Sequence, residues 1–185
     1  MKKSFSHAFN KQDEYKTPSC LVKIVVPFLQ VWARDFEKEN NRQPIIWCPF
    51  DLESSNFVQI LKQYGFQVEH SHISEGKNFF TYQPAKWDIA VSNPPFSKKL
   101  DIFKKFYLWD KPFVMLMNMM ALNYQEIGNL FAEMKVDVQF LIPDKKISFD
   151  GKTSSFCSGY VCYKFLECTT FVHMSDNNAG KYFRG

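Results

Sequence analysis

Apolar positions along the chain change period several times, and each change marks an element. Leu21, Ile24, Val25, Phe28, Leu29 and Trp32 recur at three- and four-residue spacing, which predicts an amphipathic helix. Thr17-Pro18 reads as its start, with Thr as N-cap and Pro at the first helical position. Pro27 falls inside the stripe and should kink the helix or divide it in two. The charged stretch from Glu37 to Gln43 then reads as a loop. Ile45-Ile46-Trp47 is the short apolar run of a buried strand, followed by the turn Cys48-Pro49-Phe50-Asp51. A second helical stripe, Phe57, Ile60, Leu61 and Tyr64, stops at Gly65, and residues 66–70 read as the next strand. Strand, helix, strand at this spacing is a parallel unit.

The pattern repeats downstream. Trp87 to Val91 is a third strand, running into Ser92-Asn93-Pro94-Pro95-Phe96, and Leu100, Phe103, Phe106 and Tyr107 mark the helix after it. Phe113 to Met117 is a fourth strand and Tyr124 to Met134 a helix. Val136 to Ile142 and Tyr160 to Leu166 alternate or run apolar, as a terminal antiparallel pair would. Residues 1–16 are polar and irregular apart from Phe5 and Phe9, and little structure is expected beyond Thr170. With no repeat, low-complexity tract or linker, residues 1–185 read as a single domain. Helix, repeated strand-helix units and a final strand pair favour a three-layer α/β sandwich. Open sheets of this kind bind ligands beyond the carboxyl ends of their strands, where the Cys48–Asp51 turn, the Asn78 loop and the Asn93 motif should converge.

Composition narrows the picture modestly. The 185 residues suffice for a real core, and 45% hydrophobic content fits a globular chain. Aromatic residues reach 17%, with 20 Phe; part of that is core, but a surplus of flat rings also suits a protein that stacks against bases. A net charge of +4 and a pI near 8.7 allow a polyanionic partner without demanding one. Five cysteines with no Cys-x-x-Cys argue against a disulfide framework, and the four histidines form no ligand pattern with them, so no metal site is expected. Met1-Lys2-Lys3 leads into no apolar leader segment and no run is long enough to span a bilayer. The expectation is a cytoplasmic protein without a membrane partner.

Asn93-Pro94-Pro95-Phe96 carries the chemistry. An exocyclic adenine nitrogen is a poor nucleophile because its lone pair is delocalised into the ring. Acceptors aimed at the amine help as positive charge develops, and the Asn93 side-chain oxygen and Pro94 carbonyl are suitable. Two prolines fix the backbone, so the acceptors are preorganised. Phe96 offers a flat wall on which a flipped base can stack. No general base is needed before transfer, because the amine attacks a sulfonium centre and its proton leaves afterwards to water. Asn-Pro-Pro also occurs as a plain turn; the strand before it and the amphipathic helix after it set this one apart.

These residues resemble the N6-adenine DNA methyltransferases of the class I, S-adenosylmethionine-dependent fold, especially small phage and plasmid types. The tetrapeptide is similar to the family's Asp/Asn-Pro-Pro-Tyr/Phe motif, and Trp87-Asp88-Ile89-Ala90-Val91 to the run into it. The resemblance spans roughly residues 13–166. It implies a Rossmann-like, mostly parallel seven-stranded sheet with a terminal antiparallel strand. S-adenosylmethionine is the implied cofactor and DNA adenine the implied substrate, with Asn93, Pro94, Pro95 and Phe96 as the catalytic motif. Tyr15, Thr17 and Pro18 are similar to the segment that touches the methionine end of the cofactor. Asn78-Phe79-Phe80 resembles an Asp-Phe-Phe segment that contacts its adenine.

The loop after the first strand departs from the family's glycine-rich turn. Cys48-Pro49-Phe50-Asp51 is similar to one small branch, and its Asp51 carboxylate can hold the methionine ammonium, cap the following helix, or do both. Glu69 and His70 are the candidates for the ribose hydroxyls, with Glu69 the better chemical match. Lys98 and Lys99 follow the motif as candidate phosphate contacts, whereas Lys104 and Lys105 read as the wet face of a helix. Between the last strands, Phe149 is a candidate second stacking wall and Lys152 a phosphate contact.

No separate target-recognition domain is visible. The chain would read few base edges through its loops, act as a homodimer, or take its specificity from a partner protein. Two other readings stay open: adenine methylation in RNA, and a methyltransferase-like module that has lost turnover and binds nucleic acid or protein.

Overall fold

The computed structural model describes residues 16–133, 135, 137–149, 155–174 and 181–183. Helix α1, Ser19–Asn40, precedes strand β1, Ile45–Cys48; α2, Asn56–Gln63, and β2, Gln67–His70, follow. Next come β3, Ile89–Ser92; α3, Lys99–Trp109; β4, Phe113–Asn118; α4, Gln125–Glu133; and β5, Val138–Pro143. The two-residue strands β6, Ile147–Ser148, and β7, Ser155–Phe156, form a small hairpin. Strands β8, Ser158–Tyr163, β9, Thr170–His173, and β10, Lys181–Phe183, complete the order.

Eight strands form one sheet in the order β10-β9-β5-β8-β4-β3-β1-β2. Strands β2, β1, β3 and β4 run parallel to one another, as do β5 and β9. Strand β8 lies antiparallel between β4 and β5. The expected final strand pair is therefore present, with its antiparallel member inside the sheet. Among the described residues the sheet has eight strands rather than seven: the six that the pattern placed, with β9 and β10 added in the region where little structure was expected.

Side chains alternate across the sheet, and two apolar clusters result. One joins Ile46, Val91, Val114 and Tyr160 to the buried stripes of α1 and α2. The other joins Trp47, Ala90, Met115 and Val161 to Phe103 and Phe106 of α3 and to Ile127 and Leu130 of α4. Helices thus cover both faces, the three-layer Rossmann-like arrangement expected of a methyltransferase fold.

Several boundaries differ from those the sequence suggested. Helix α1 is continuous through Pro27 and extends to Asn40, taking in most of the stretch read as a loop. Seven buried residues, among them Leu21, Val25 and Leu29, fasten it to the sheet on either side of the proline. Pro18, not Thr17, occupies the N-cap, with no side-chain cap bond. Gly65 closes α2 as expected, at φ +86°, where a side chain would be strained. At the amino ends of β1 and β3, the opposite end of these strands from the candidate site, Arg42 forms a two-pronged ion pair with Asp88, at 2.8 and 2.7 Å. The Asp88 carboxylate also accepts from the Ile45 backbone N–H, so the starts of β1 and β3 are tied together.

Candidate functional site

Strand β1 pairs with β2 on one side and β3 on the other. The chain leaves β1 for the first and returns for the second, so the connections part beyond the carboxyl end of β1. A crevice is the geometric consequence. A cleft of about 360 Å³ lies there, lined by the turn after β1, the start of α2, the segment after β2, Phe79, Lys16-Thr17, and Asn93 and Pro95 after β3. Ligand pockets typically begin near this size, about 300 Å³.

The turn after β1 is held without glycine. Ser71, fully buried just past β2, donates its backbone N–H to the Cys48 carbonyl and accepts from the Asp51 N–H. Its hydroxyl accepts from Trp47 Nε1 at 3.0 Å and donates to the Pro49 carbonyl at 3.3 Å. These four bonds fasten the turn to the neighbouring strand end. Sequence reasoning missed Ser71, since a lone serine after a strand carries no signal of its own.

Asp51 is buried against the cleft, and the Ser92 hydroxyl donates to its Oδ2 at 2.5 Å. Burial pushes its carboxyl up to about 6, against the pull of hydrogen bonds from Ser92 and Ser55 and the field of His70. Ser55, not Asp51, caps α2, accepting from the Val58 N–H.

Thr17 joins three parts of the site. Its carbonyl accepts from Asn56 Nδ2 at 2.7 Å, and its hydroxyl accepts from Asn93 Nδ2 at 3.2 Å. That leaves Asn93 Oδ1 buried without a hydrogen-bond partner among the described residues. Pro94 and Pro95 are buried beside it, and only Pro95 of the two lines the cleft.

Thr17, Pro49, Asp51, Phe79, Asn93 and Pro95 are therefore brought together. Cys48 is buried at the end of β1 and lines no part of the cleft. Pro18, Pro94 and Phe96 also lie outside the lining, and Phe96 packs against the α3-side core. Glu69 faces solvent on the edge strand β2; His72 and Ile73, three and four residues further on, line the cleft where a ribose partner was sought. His70 faces Glu53 at 3.0 Å. Asn78 lies beside the cleft rather than in its lining, and its Oδ1 accepts from the Phe80 N–H. Tyr15 and Lys152 fall outside the described residues.

The aromatic surplus is spent in the core. Phe79 is stacked on Trp47, 5.8 Å between centroids, and touches Phe50 at 4.7 Å and Phe106 at 5.2 Å. Phe149 packs against the core on the α1 side of the sheet, the opposite side from Phe96. Lys99 lies over the Tyr124 ring at 5.0 Å, next to the motif. Lys105 is not a wet-face residue: its ammonium donates to the Phe80 carbonyl at 2.6 Å and burial lowers its pKa.

The layered sheet, its internal antiparallel strand and a cleft at the switch point define a three-layer, Rossmann-like α/β fold. Residues 85–156 match the family described as adenine-specific methyltransferase EcoRI. The Type II methyltransferase M.EcoRI of Escherichia coli is 37% identical over 51 residues, which span 28% of this chain and 16% of that protein's length. Among solved structures, one assigned as a class I S-adenosylmethionine-dependent methyltransferase of Listeria monocytogenes aligns over 92% of this chain and 68% of its own. It does so at 10% identity and a TM-score of 0.46. A human methyltransferase 10 domain containing protein aligns over 81% and 84%, at 9% identity and a TM-score of 0.39. Among the described residues no helix is long and apolar enough to cross a membrane, and no group of His, Cys, Asp and Glu is placed to hold a metal.

Proposed function

We propose that this chain is a site-specific, adenine-specific DNA methyltransferase that moves a methyl group from S-adenosylmethionine to N6 of a flipped adenine. The observation that carries the proposal is the Asn93 carboxamide at the cleft, whose oxygen is buried and unpartnered beside two prolines. It lies inside the segment matched to the adenine-specific family.

The residues at the cleft suit the cofactor. Phe50 and Phe79 offer apolar faces for a purine, Asp51 a carboxylate for an ammonium, and Thr17 a place at the methionine end. When bound, S-adenosylmethionine supplies an electrophilic methyl on a sulfonium. Asn93 Oδ1 and the Pro94 carbonyl accept hydrogen bonds from the adenine amine and stabilise the charge that grows on it. Transfer would leave the thioether behind, and the proton lost from the amine would pass to water. Phe96 is assigned to stacking against the base, and Lys98 and Lys99 to phosphate contacts. Sequence choice is assigned to loops, a homodimer or a partner protein.

The test separates acceptors. Purified protein with methyl-labelled S-adenosylmethionine should label adenine N6 in DNA, and Asn93→Ala should lower transfer at least a hundredfold, as loss of a preorganised acceptor does. Label confined to RNA or protein would redirect the substrate assignment. No label on any acceptor, with no calorimetric binding of the cofactor, would remove the enzymatic reading.

A further inference from the structure

The buried Asn93 oxygen raises a question of orientation. A carboxamide has an acceptor end and a donor end of nearly equal shape, and only the acceptor end serves an attacking amine. With the ends exchanged, two N–H groups would meet the adenine amine and repel it. Two prolines fix the backbone of the motif but not the rotation of the Asn93 side chain.

We propose that Thr17 is the positioning residue that sets this rotation. Its hydroxyl oxygen accepts from Asn93 Nδ2 at 3.2 Å, which holds the donor end away and presents Oδ1 unpartnered. Thr17 is itself held. Only 7% exposed, it sits one residue before the cap of α1, and its carbonyl takes a 2.7 Å bond from Asn56 Nδ2 in the first turn of α2. The segment before α1, the first turn of α2 and the motif after β3 thus meet at one threonine. The chain's first described residues set the acceptor geometry of a motif 76 positions later. This assignment rests on the proposed transfer chemistry and gives the Thr17 hydroxyl a task distinct from cofactor contact.

The test is a pair of substitutions in two backgrounds. Thr17→Val keeps the shape and removes the acceptor, and should slow single-turnover methylation about tenfold while cofactor Kd stays within about twofold. Thr17→Ser restores the hydroxyl and should recover the rate. In an Asn93→Asp background both oxygens are acceptors, so orientation no longer matters, and the same Thr17→Val change should cost less than about twofold. An equal loss in both backgrounds, no recovery with Ser, or a loss carried wholly by weaker cofactor binding would overturn the proposal.

A second measurement does not need turnover. In the ligand-free protein, the Asn93 side-chain amide protons should shift upfield and exchange faster with solvent in Thr17→Val than in wild type. Unchanged amide signals refute the hydrogen bond whatever the enzyme does. Changed signals in a protein that methylates nothing would uphold the anchor and refute the proposed function instead.

Discussion

Asp51 is a carboxyl group kept where its own ionisation is disfavoured. Burial raises its pKa to about 6, whereas the unfolded chain titrates near 3.8. Between those values the folded protein holds the extra proton, so stability falls as pH rises from about 4 to about 6 and is level above. The full span corresponds to on the order of 3 kcal/mol. Asp51→Asn should flatten this part of the stability profile, as read by urea unfolding at pH 4, 5, 6 and 7. A cation brought to the cleft relieves the same penalty. Cofactor binding should therefore strengthen through pH 6 in the wild type, and fall about tenfold at pH 7.5 in Asp51→Asn, measured by calorimetry. A stability profile that stays steep in Asp51→Asn would show that another group titrates.

At the scale of elements, Pro27 tests how far tertiary contacts overrule local preference. A proline within a helix removes one hydrogen bond and crowds the preceding turn, at about 3 kcal/mol relative to alanine. Helix α1 tolerates it because the buried residues on both sides pack on the sheet. Pro27→Ala should stabilise the protein by about 1–2 kcal/mol, the helix gain being offset in part by a freer unfolded chain. A shift of the urea midpoint without a change in slope would check it, and an unchanged midpoint would mean that the proline is already relaxed. Elements with an uninterrupted period were legible in the sequence: β1, α2, β2 and the strand leading into Asn93 all lie close to where the pattern puts them. The end of α1 was not. Helical continuity across Pro27 depends on a sheet surface the local pattern does not reveal, and polar residues up to Asn40 carry no apolar mark of the helix they finish.

Across the whole molecule, the α3 side of the sheet is an aromatic layer that reaches from the core to the cleft. Phe106 is fully buried, touching Trp109 at 5.6 Å, Phe113 at 5.1 Å and Phe79 at 5.2 Å. Phe106→Ala should cost about 3–5 kcal/mol of stability. It should also weaken cofactor binding several-fold, because Phe79 loses its backing; calorimetry on the folded variant reads the second effect, and unchanged affinity would confine the layer to a core role. This larger arrangement was the least legible. Phe and Trp spacing announces burial but not which rings meet, so a surplus that suggested base stacking proved to be mostly packing. Asn93 could be singled out because its tetrapeptide is local. Ser71 and the Thr17 hydroxyl acquire their places only from strand and segment neighbours distant in sequence.

The position of β8 has a consequence in time. Strand β4 ends at Asn118, and its second neighbour begins at Ser158, about 40 residues later. During synthesis, β1 to β4 emerge with one long edge still open, and β5 has no place beside β4 until β8 arrives to separate them. Closing so long a loop is slow, and an exposed edge invites pairing with other chains meanwhile. The ribosome finishes the centre of this sheet after its flank, and a nascent chain paused before residue 158 is the species a chaperone has most reason to meet.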